Sequence, residues 1–250
     1  MKVWINADDY GWNESCSQAI FDAFQSGWLT TTTACVNGSF FEDAAKMISP
    51  SIYRDRVGLH LNITEGSPIT EMIKKCPRVC KDGVFYGFPS RQIPLNKKWM
   101  DMIYKELSAQ AVEYKKTGLH MDHIDSHHFI HNSISVFPLF LKVAKDVGCH
   151  KIRRFRNVGV ISPLKRVTKD RYNRVLDKHG FIYSDYFGSA EDYMSFSRKG
   201  QNVVFEIMVH PDYRRDGVLI DRENADYSNP MGKPLESLIE EVKRRGDTIL

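Results

Sequence analysis

Val3-Trp4-Ile5-Asn6-Ala7-Asp8-Asp9-Tyr10-Gly11 sets a short apolar run directly against two carboxylates and a glycine. A run of this length bounded by a turn residue reads as a buried strand. Over residues 15–26 the period changes, with Ala19, Ile20, Ala23 and Phe24 recurring at helical spacing, so a helix follows the strand. The two carboxylates therefore stand at a strand's carboxyl end.

The same unit recurs along the chain. Residues 30–36 are β-prone and end at Asn37-Gly38; residues 40–48 resemble a helix stopped by Ser49-Pro50; residues 57–63 read as the next strand, with His60 inside it. Residues 64–98, broken by Gly66, Pro68, Pro77, Gly83, Gly87, Pro89 and Pro94, read as an irregular insertion, either a lid or a long surface loop. Helical periodicity returns over 99–116 and ends at Gly118. Beyond it the pattern predicts a strand over 121–126, a helix over 134–146 closed by Gly148, and a short strand at 150–153. Further on it predicts a basic helix over 163–178, a strand at 181–183 and a helix around 190–197. Residues 203–209 form a strong buried-strand pattern that delivers His210-Pro211, and a last helix covers 234–245. This alternation predicts an α/β fold, a (β/α) barrel, distorted or incomplete, with a doubly wound open sheet as the alternative.

Composition narrows the class. The 250 residues are 42% hydrophobic and 26% charged, ordinary for a globular protein able to bury a core without staples. Five cysteines, Cys16, Cys35, Cys76, Cys80 and Cys149, are an odd number without regular spacing and fit free thiols in a reducing compartment. No apolar run reaches a membrane span and no signal-peptide pattern opens the chain, so the expected address is the cytoplasm, with no membrane partner. A net charge of +4 is too small to imply nucleic acid. Ten Lys or Arg against two Asp over residues 151–180 read as a solvated basic face. A homodimer follows from base rates alone.

The chemistry lies in where polar residues fall. Asp122-His123-Ile124-Asp125-Ser126-His127-His128-Phe129-Ile130-His131 gathers four of the nine histidines. Asp8 and Asp9, His60, Asp125 and His127, and His210 each lie in or just after a predicted strand, where barrel enzymes assemble their sites. Alone, each has a bland reading: Asp-Asp-x-Gly as a turn, His60 as a bonded core histidine, His210 as a strand end. Jointly they fit a divalent-ion site of one Asp and two His, with a position open for water. Such an ion lowers the water's pKa toward ~7. The second carboxylate of the Asp8/Asp9 pair then acts as base, and an imidazole opposite protonates a leaving amine. Not all the clustered histidines can share one ion. His128 and His131 are expected to line the pocket, and His120 and His123 to be structural.

At these residues the sequence resembles the YdjC-like (ChbG-like) carbohydrate deacetylase family. The matching elements are Asn6-Ala7-Asp8-Asp9-Tyr10-Gly11, where the family commonly has Phe or Leu for Tyr10, then Thr31-Thr32-Thr33-Ala34-Cys35-Val36-Asn37-Gly38, Val57-Gly58-Leu59-His60-Leu61 and His123 through His131. Ile152-Arg153 and Glu206-Ile207-Met208-Val209-His210-Pro211 complete the set. They occur in family order from residue 3 to about 212.

The resemblance implies a single deacetylase domain over 1–250, a distorted barrel that removes acetyl from N-acetylated mono- or oligosaccharides, chito-oligosaccharides among them, with one divalent metal ion, Mg²⁺ or Zn²⁺. By the same likeness Asp9, His60 and His127 match the metal ligands, Asp8 the base and His210 the acid, while Asp125, His128, His131 and Arg153 fall in the pocket. The chain departs from the family at Phe129, often a third consecutive histidine, and only Arg222-Glu223 loosely matches its later features. Two other classes use similar residues: a barrel hydrolase acting on a phosphoester or cyclic amide, and a non-catalytic sugar-binding protein.

Overall fold

The computed structural model describes residues 1–88, 93–197, 202–222 and 232–250. The elements run in the order β1 (Lys2–Tyr10), α1 (Glu14–Gln25), β2 (Thr31–Ala34), α2 (Phe41–Ile48), β3 (Val57–Leu61), β4 (Cys80–Lys81), β5 (Val84–Phe85), α3 (Lys97–Lys116), β6 (Ile124–Ser126) and α4 (Phe137–Asp146). They continue as α5 (Pro163–Lys178), β7 (Tyr186–Ser189), α6 (Ala190–Ser195), β8 (Val204–Val209), β9 (Pro211–Tyr213), β10 (Leu219–Asp221), β11 (Lys233–Pro234), α7 (Leu235–Arg244) and β12 (Thr248–Ile249). Parallel strands joined through helices make this the distorted (β/α)-barrel class that the alternation predicts. Among the described residues no helix is long and apolar enough to cross a membrane.

The chain divides into two compact units. The first comprises Met1–Tyr10, Glu14–Thr32 and Arg153–Leu250; the second comprises Gly11–Asn13 and Thr33–Ile152. In the first, β1 is buried from Val3 to Tyr10, which is why its sequence does not alternate: both faces of a parallel strand are covered. It pairs in parallel with β8, from Lys2↔Val204 to Ala7↔Val209, and with β12; β7 pairs in parallel with β8. Helix α1 carries Glu14 in its first turn and buries Ala19, Ile20, Ala23 and Phe24, an acidic amino end suited to the helix dipole and one apolar face. Ser189 and Asp192 form a reciprocal capping box on α6. Strands β9, β10 and β11 make a small antiparallel sheet.

In the second unit β3 and β6 pair in parallel, with Leu59↔Ile124, His60↔Asp125 and Leu61↔Ser126 in register. Gly58 is fixed by packing, because a Cβ there would meet the His123 carbonyl at 2.6 Å. Asn96 caps α3 by accepting from Trp99 N at 3.0 Å, and the helix buries Met102, Ile103, Leu107, Ala111 and Tyr114. Gly118 and Gly148, at φ 71° and 74°, end α3 and α4 in the left-handed conformation.

Several boundaries depart from the sequence pattern. The strand expected at 181–183 lies instead at Tyr186–Ser189, in register with Phe205–Met208. Of the expected triplet only Ile182 keeps a bridge, and it is 64% exposed; Phe181 is buried and the Tyr183 hydroxyl donates to Asp177. The short strand expected at 150–153 reduces to bridge residues at Lys151 and Ile152, Ile152 pairing in parallel with Ile124. Helix α4 begins at Phe137 rather than 134, because the preceding residues form a 3₁₀ turn over His127–Asn132 and Pro138 sits in the helix's first turn. In the irregular segment, β4 and β5 form a short hairpin. Phe85 and Phe88 are buried there.

Candidate metal centre and active site

The predicted residues fall into two groups, one in each unit. In the first unit Asp8 is held from several sides. Arg153 Nη1 donates to its Oδ2 and Nη2 to its Oδ1, both at 2.7 Å, and Asn6 Nδ2 donates to Oδ1 at 2.8 Å. Arg153 Nε donates in turn to Glu206 Oε1 at 2.7 Å, and Ser184 Oγ to Glu206 Oε2 at 3.2 Å. The guanidinium lies over the Phe187 ring, 4.8 Å from its centroid. Arg153 and Glu206 have no exposed surface, so each charge depends on its partner in a low-dielectric interior. His210 follows β8, with Nε2 4.0 Å from Asp8 Oδ2. Its backbone is clamped: His210 N donates to Asp221 Oδ1 and Arg222 N donates to the His210 carbonyl, both at 2.9 Å.

Asp9 has φ 72°. That left-handed step breaks the alternation of the strand, so adjacent carboxylates serve different partners. Cys16 Sγ donates to the Asp9 carbonyl at 3.3 Å, and Arg222 Nη2 lies 3.2 Å from Asp9 Oδ2. The carboxyl-terminal segment thus contributes Arg222 directly; Glu223 lies outside the described residues. Burial, with Cys16 adding to it, pushes the neighbouring Tyr10 hydroxyl well above its ordinary range, so it stays protonated.

In the second unit His60 Nδ1 is 2.6 Å from Asp125 Oδ1, while Thr33 Oγ1 donates to Asp125 Oδ2 at 3.0 Å and sits 3.2 Å from His60 Nδ1. A carboxylate on Nδ1 fixes the tautomer whose Nε2 lone pair faces the other way, the state in which an imidazole binds metal. His127 and His60 meet edge to face with centroids 5.4 Å apart, Trp12 stacks on His127 at 5.6 Å and 22°, and His128 lies 4.0 Å from His127. His127 Nε2 is 3.4 Å from Glu65 Oε2. Two sets of possible ligand atoms lie within 4.8 Å of one another in this unit: those of Glu65, His127 and His128, and those of Cys35, His60 and His127.

Local structure explains this convergence. Asn62 Oδ1 accepts from Thr64 N and Glu65 N, its Nδ2 donates to the Glu65 carbonyl, and Gln110 and Glu106 of α3 tie down Asn62, Ile69 and Thr70. The loop after β3 is therefore built on α3. His128 and Phe129 are both left-handed, at φ 49° and 52°, which turns the chain sharply after His127. His131 Nδ1 bonds Ser126 Oγ at 2.5 Å and the residue is buried. Behind the cluster, burial raises the Asp122 pKa, but the His123 and Lys151 bonds outweigh it and hold the carboxyl down at about 2.

Glu206, Thr33, Glu65, Trp12, Cys35 and Arg222 join these groups although the sequence pattern did not single them out as site residues. A charged residue inside the apolar run Val204–Val209 was the available signal for Glu206; Thr33 lies in β2, and the others come from loops whose course no periodicity reveals. A cavity of about 690 Å³ elsewhere in the second unit, lined by Val36, Phe41, Glu42, Lys46 and Lys116 among others, includes none of the predicted site residues.

Known proteins resemble this chain over most of its length. A protein of Brevibacillus brevis named carbohydrate deacetylase is 30% identical over 227 residues, covering 88% of this chain and 84% of its own. One of the same name from Halalkalibacterium halodurans is 29% identical over 244 residues, 95% of each chain. A chitooligosaccharide deacetylase of Salmonella paratyphi B is 31% identical over 145 residues, 58% of this chain and 56% of its own. The crystal structure of a putative cellobiose-phosphate cleavage protein from Enterococcus faecalis superimposes with a TM-score of 0.74 at 24% identity, covering 100% of this chain and 96% of that one, a likeness of fold. The family model described as YdjC-like protein matches residues 2–245, and with that match the chain belongs to the YdjC-like family.

Proposed function

We propose that this protein is a metal-dependent hydrolase that removes acetyl from N-acetylated sugars, chito-oligosaccharides or related saccharides, releasing acetate and a glucosamine-type product. The relatives' names supply the reaction class. The observation that carries the reading is Asp8, gripped at both oxygens by Arg153 with His210 Nε2 4.0 Å from Oδ2. A base and an acid side by side have no use in a protein that only binds. The family match runs through both compact units, which supports reading residues 1–250 as one deacetylase domain.

Asp9, His60 and His127 are the proposed metal ligands. The donor set fits: His60 is oriented through Nδ1 by Asp125, His127 stands beside it, and a buried carboxylate completes a hard-and-borderline set suited to a divalent ion. When bound, the ion supplies Lewis acidity, which makes a water nucleophilic at neutral pH and offsets developing negative charge. Asp8 takes the proton of the attacking water. His210, held by Asp221 and Arg222, gives a proton to the departing amine nitrogen. Trp12, half-buried on His127, offers an aromatic face to a sugar ring, with Asp125, His128, His131 and Arg153 around the reacting groups.

An acetate-release assay of the metal-reconstituted protein, run across N-acetylated mono- and oligosaccharides, tests this directly. Acetate appearing in step with free amine is the expected result. Phosphate release from a simple phosphoester, with no acetate from any sugar, would replace the reading by another barrel hydrolase.

A further inference from the structure

Cys35 follows β2 at once, two residues beyond Thr33, the hydroxyl that touches both His60 and Asp125. It is fully buried and forms no disulfide. Its sulfur does not stand alone: Cys35, His60 and His127 each present a possible ligand atom, all within 4.8 Å of one another. An ion ~2.3 Å from sulfur and ~2.0–2.1 Å from nitrogen, with ligand angles of about 90–120°, sets those atoms about 3.1–3.8 Å apart, a span within the observed limit. Buried cysteines usually serve as small apolar packing residues. Beside this one stand two imidazoles, one of them already oriented by a carboxylate.

We propose that Cys35 is a ligand of the same ion as His60 and His127, and that it makes the centre a thiolate-containing one that selects zinc or cobalt over magnesium; with Asp9 the protein ligands are then four, and the water of the proposed reaction takes a fifth position. The inference rests on His60 and His127 being ligands, as proposed above. On ligation the sulfur–metal bond forms as the S–H proton passes to solvent, so uptake of the ion releases a proton. Soft thiolate added to imidazole discriminates against magnesium, which prefers oxygen donors. The other four thiols are not in this group: Cys16 Sγ donates to the Asp9 carbonyl, Cys149 Sγ to the Lys151 carbonyl, and Cys76 and Cys80 lie at the β4 end of the irregular segment.

The test is a Co²⁺ titration of the full-length, metal-free protein followed by absorption. Wild type is expected to develop visible d–d bands and an intense thiolate-to-cobalt charge-transfer band in the near ultraviolet. Cys35→Ser keeps the visible bands and loses the charge-transfer band, and weakens zinc at least about tenfold while leaving magnesium unchanged; Cys76→Ser keeps both sets of bands. Cys35→Ala serves as the second variant, and circular dichroism confirms that both fold. Visible bands without a charge-transfer band in wild type, or a charge-transfer band that survives in Cys35→Ser, would overturn the role of Cys35 and leave the two histidines as ligands. Wild type that takes up no cobalt would overturn the metal reading itself.

Discussion

His60 and Asp125 occupy directly paired positions of the parallel strands β3 and β6, and their side chains meet at 2.6 Å between Nδ1 and Oδ1. The strand register thus delivers a carboxylate to the back of an imidazole. Asp125→Asn keeps the shape and removes the charge that fixes the tautomer. Metal affinity should fall about 10–100-fold, read by isothermal titration with zinc; unchanged affinity would detach Asp125 from the ligand.

His127→Ala should abolish metal retention and acetate release together. Metal content after gel filtration decides it: a variant holding one equivalent of metal sinks the assignment of His127 as a ligand.

Glu206 and Arg153 form a fully buried ion pair that continues to Asp8. Glu206→Gln leaves a buried guanidinium short of charge and should cost about 3–5 kcal/mol of stability in urea unfolding. In acetate release the kcat should fall by roughly 10²-fold with KM little changed, because the loss is of Asp8 geometry rather than of sugar contacts. Combined with Asp8→Asn, the effects on kcat should not add. Full additivity would show that Glu206 does not act through Asp8.

Asp122 carries a pH signature. Its folded pKa of about 2 lies below the ordinary value of 3.8. Its contribution is therefore fully present above pH ~4 and lost as pH falls toward ~2, at most about 2 kcal/mol. Lys151→Met, removing the partner 2.8 Å away, should flatten that part of the stability–pH curve by lowering stability above pH ~4, by up to about 2 kcal/mol, while leaving stability near pH ~2 little changed. An unaltered acid limb would contradict the pairing.

Trp12→Ala should raise KM for N-acetylated oligosaccharides severalfold, with kcat less affected, if its ring beneath a sugar contributes the usual stacking energy. Steady-state kinetics on substrates of increasing length would read it, and an unchanged KM would remove Trp12 from the binding surface.

The fold was largely legible because it depends on periodicity. The run before Asp8, the helical stripe of Ala19, Ile20, Ala23 and Phe24, and the buried strand before His210 all appear where the pattern puts them. Strand 181–183 was misplaced because a short apolar triplet carries no record of its pairing partner, and the register with β8 chose Tyr186–Ser189 instead. For the candidate site, residue types located the groups, but contacts did not follow from spacing. Arg153 reaches Asp8 across 145 positions of chain, and Arg222 reaches Asp9 across 213. Such pairings are set by tertiary structure and leave no local signal.

Two consecutive left-handed residues, His128 and Phe129, carry a further meaning for the histidine-rich run. Histidine tolerates that conformation better than most side chains, but phenylalanine does not and two such residues in succession are rare, so the bend after His127 is imposed by the surrounding protein and would relax in an isolated peptide. The run is not a portable cassette. Transplanted into another loop, the same ten residues would keep their imidazoles and lose their aim.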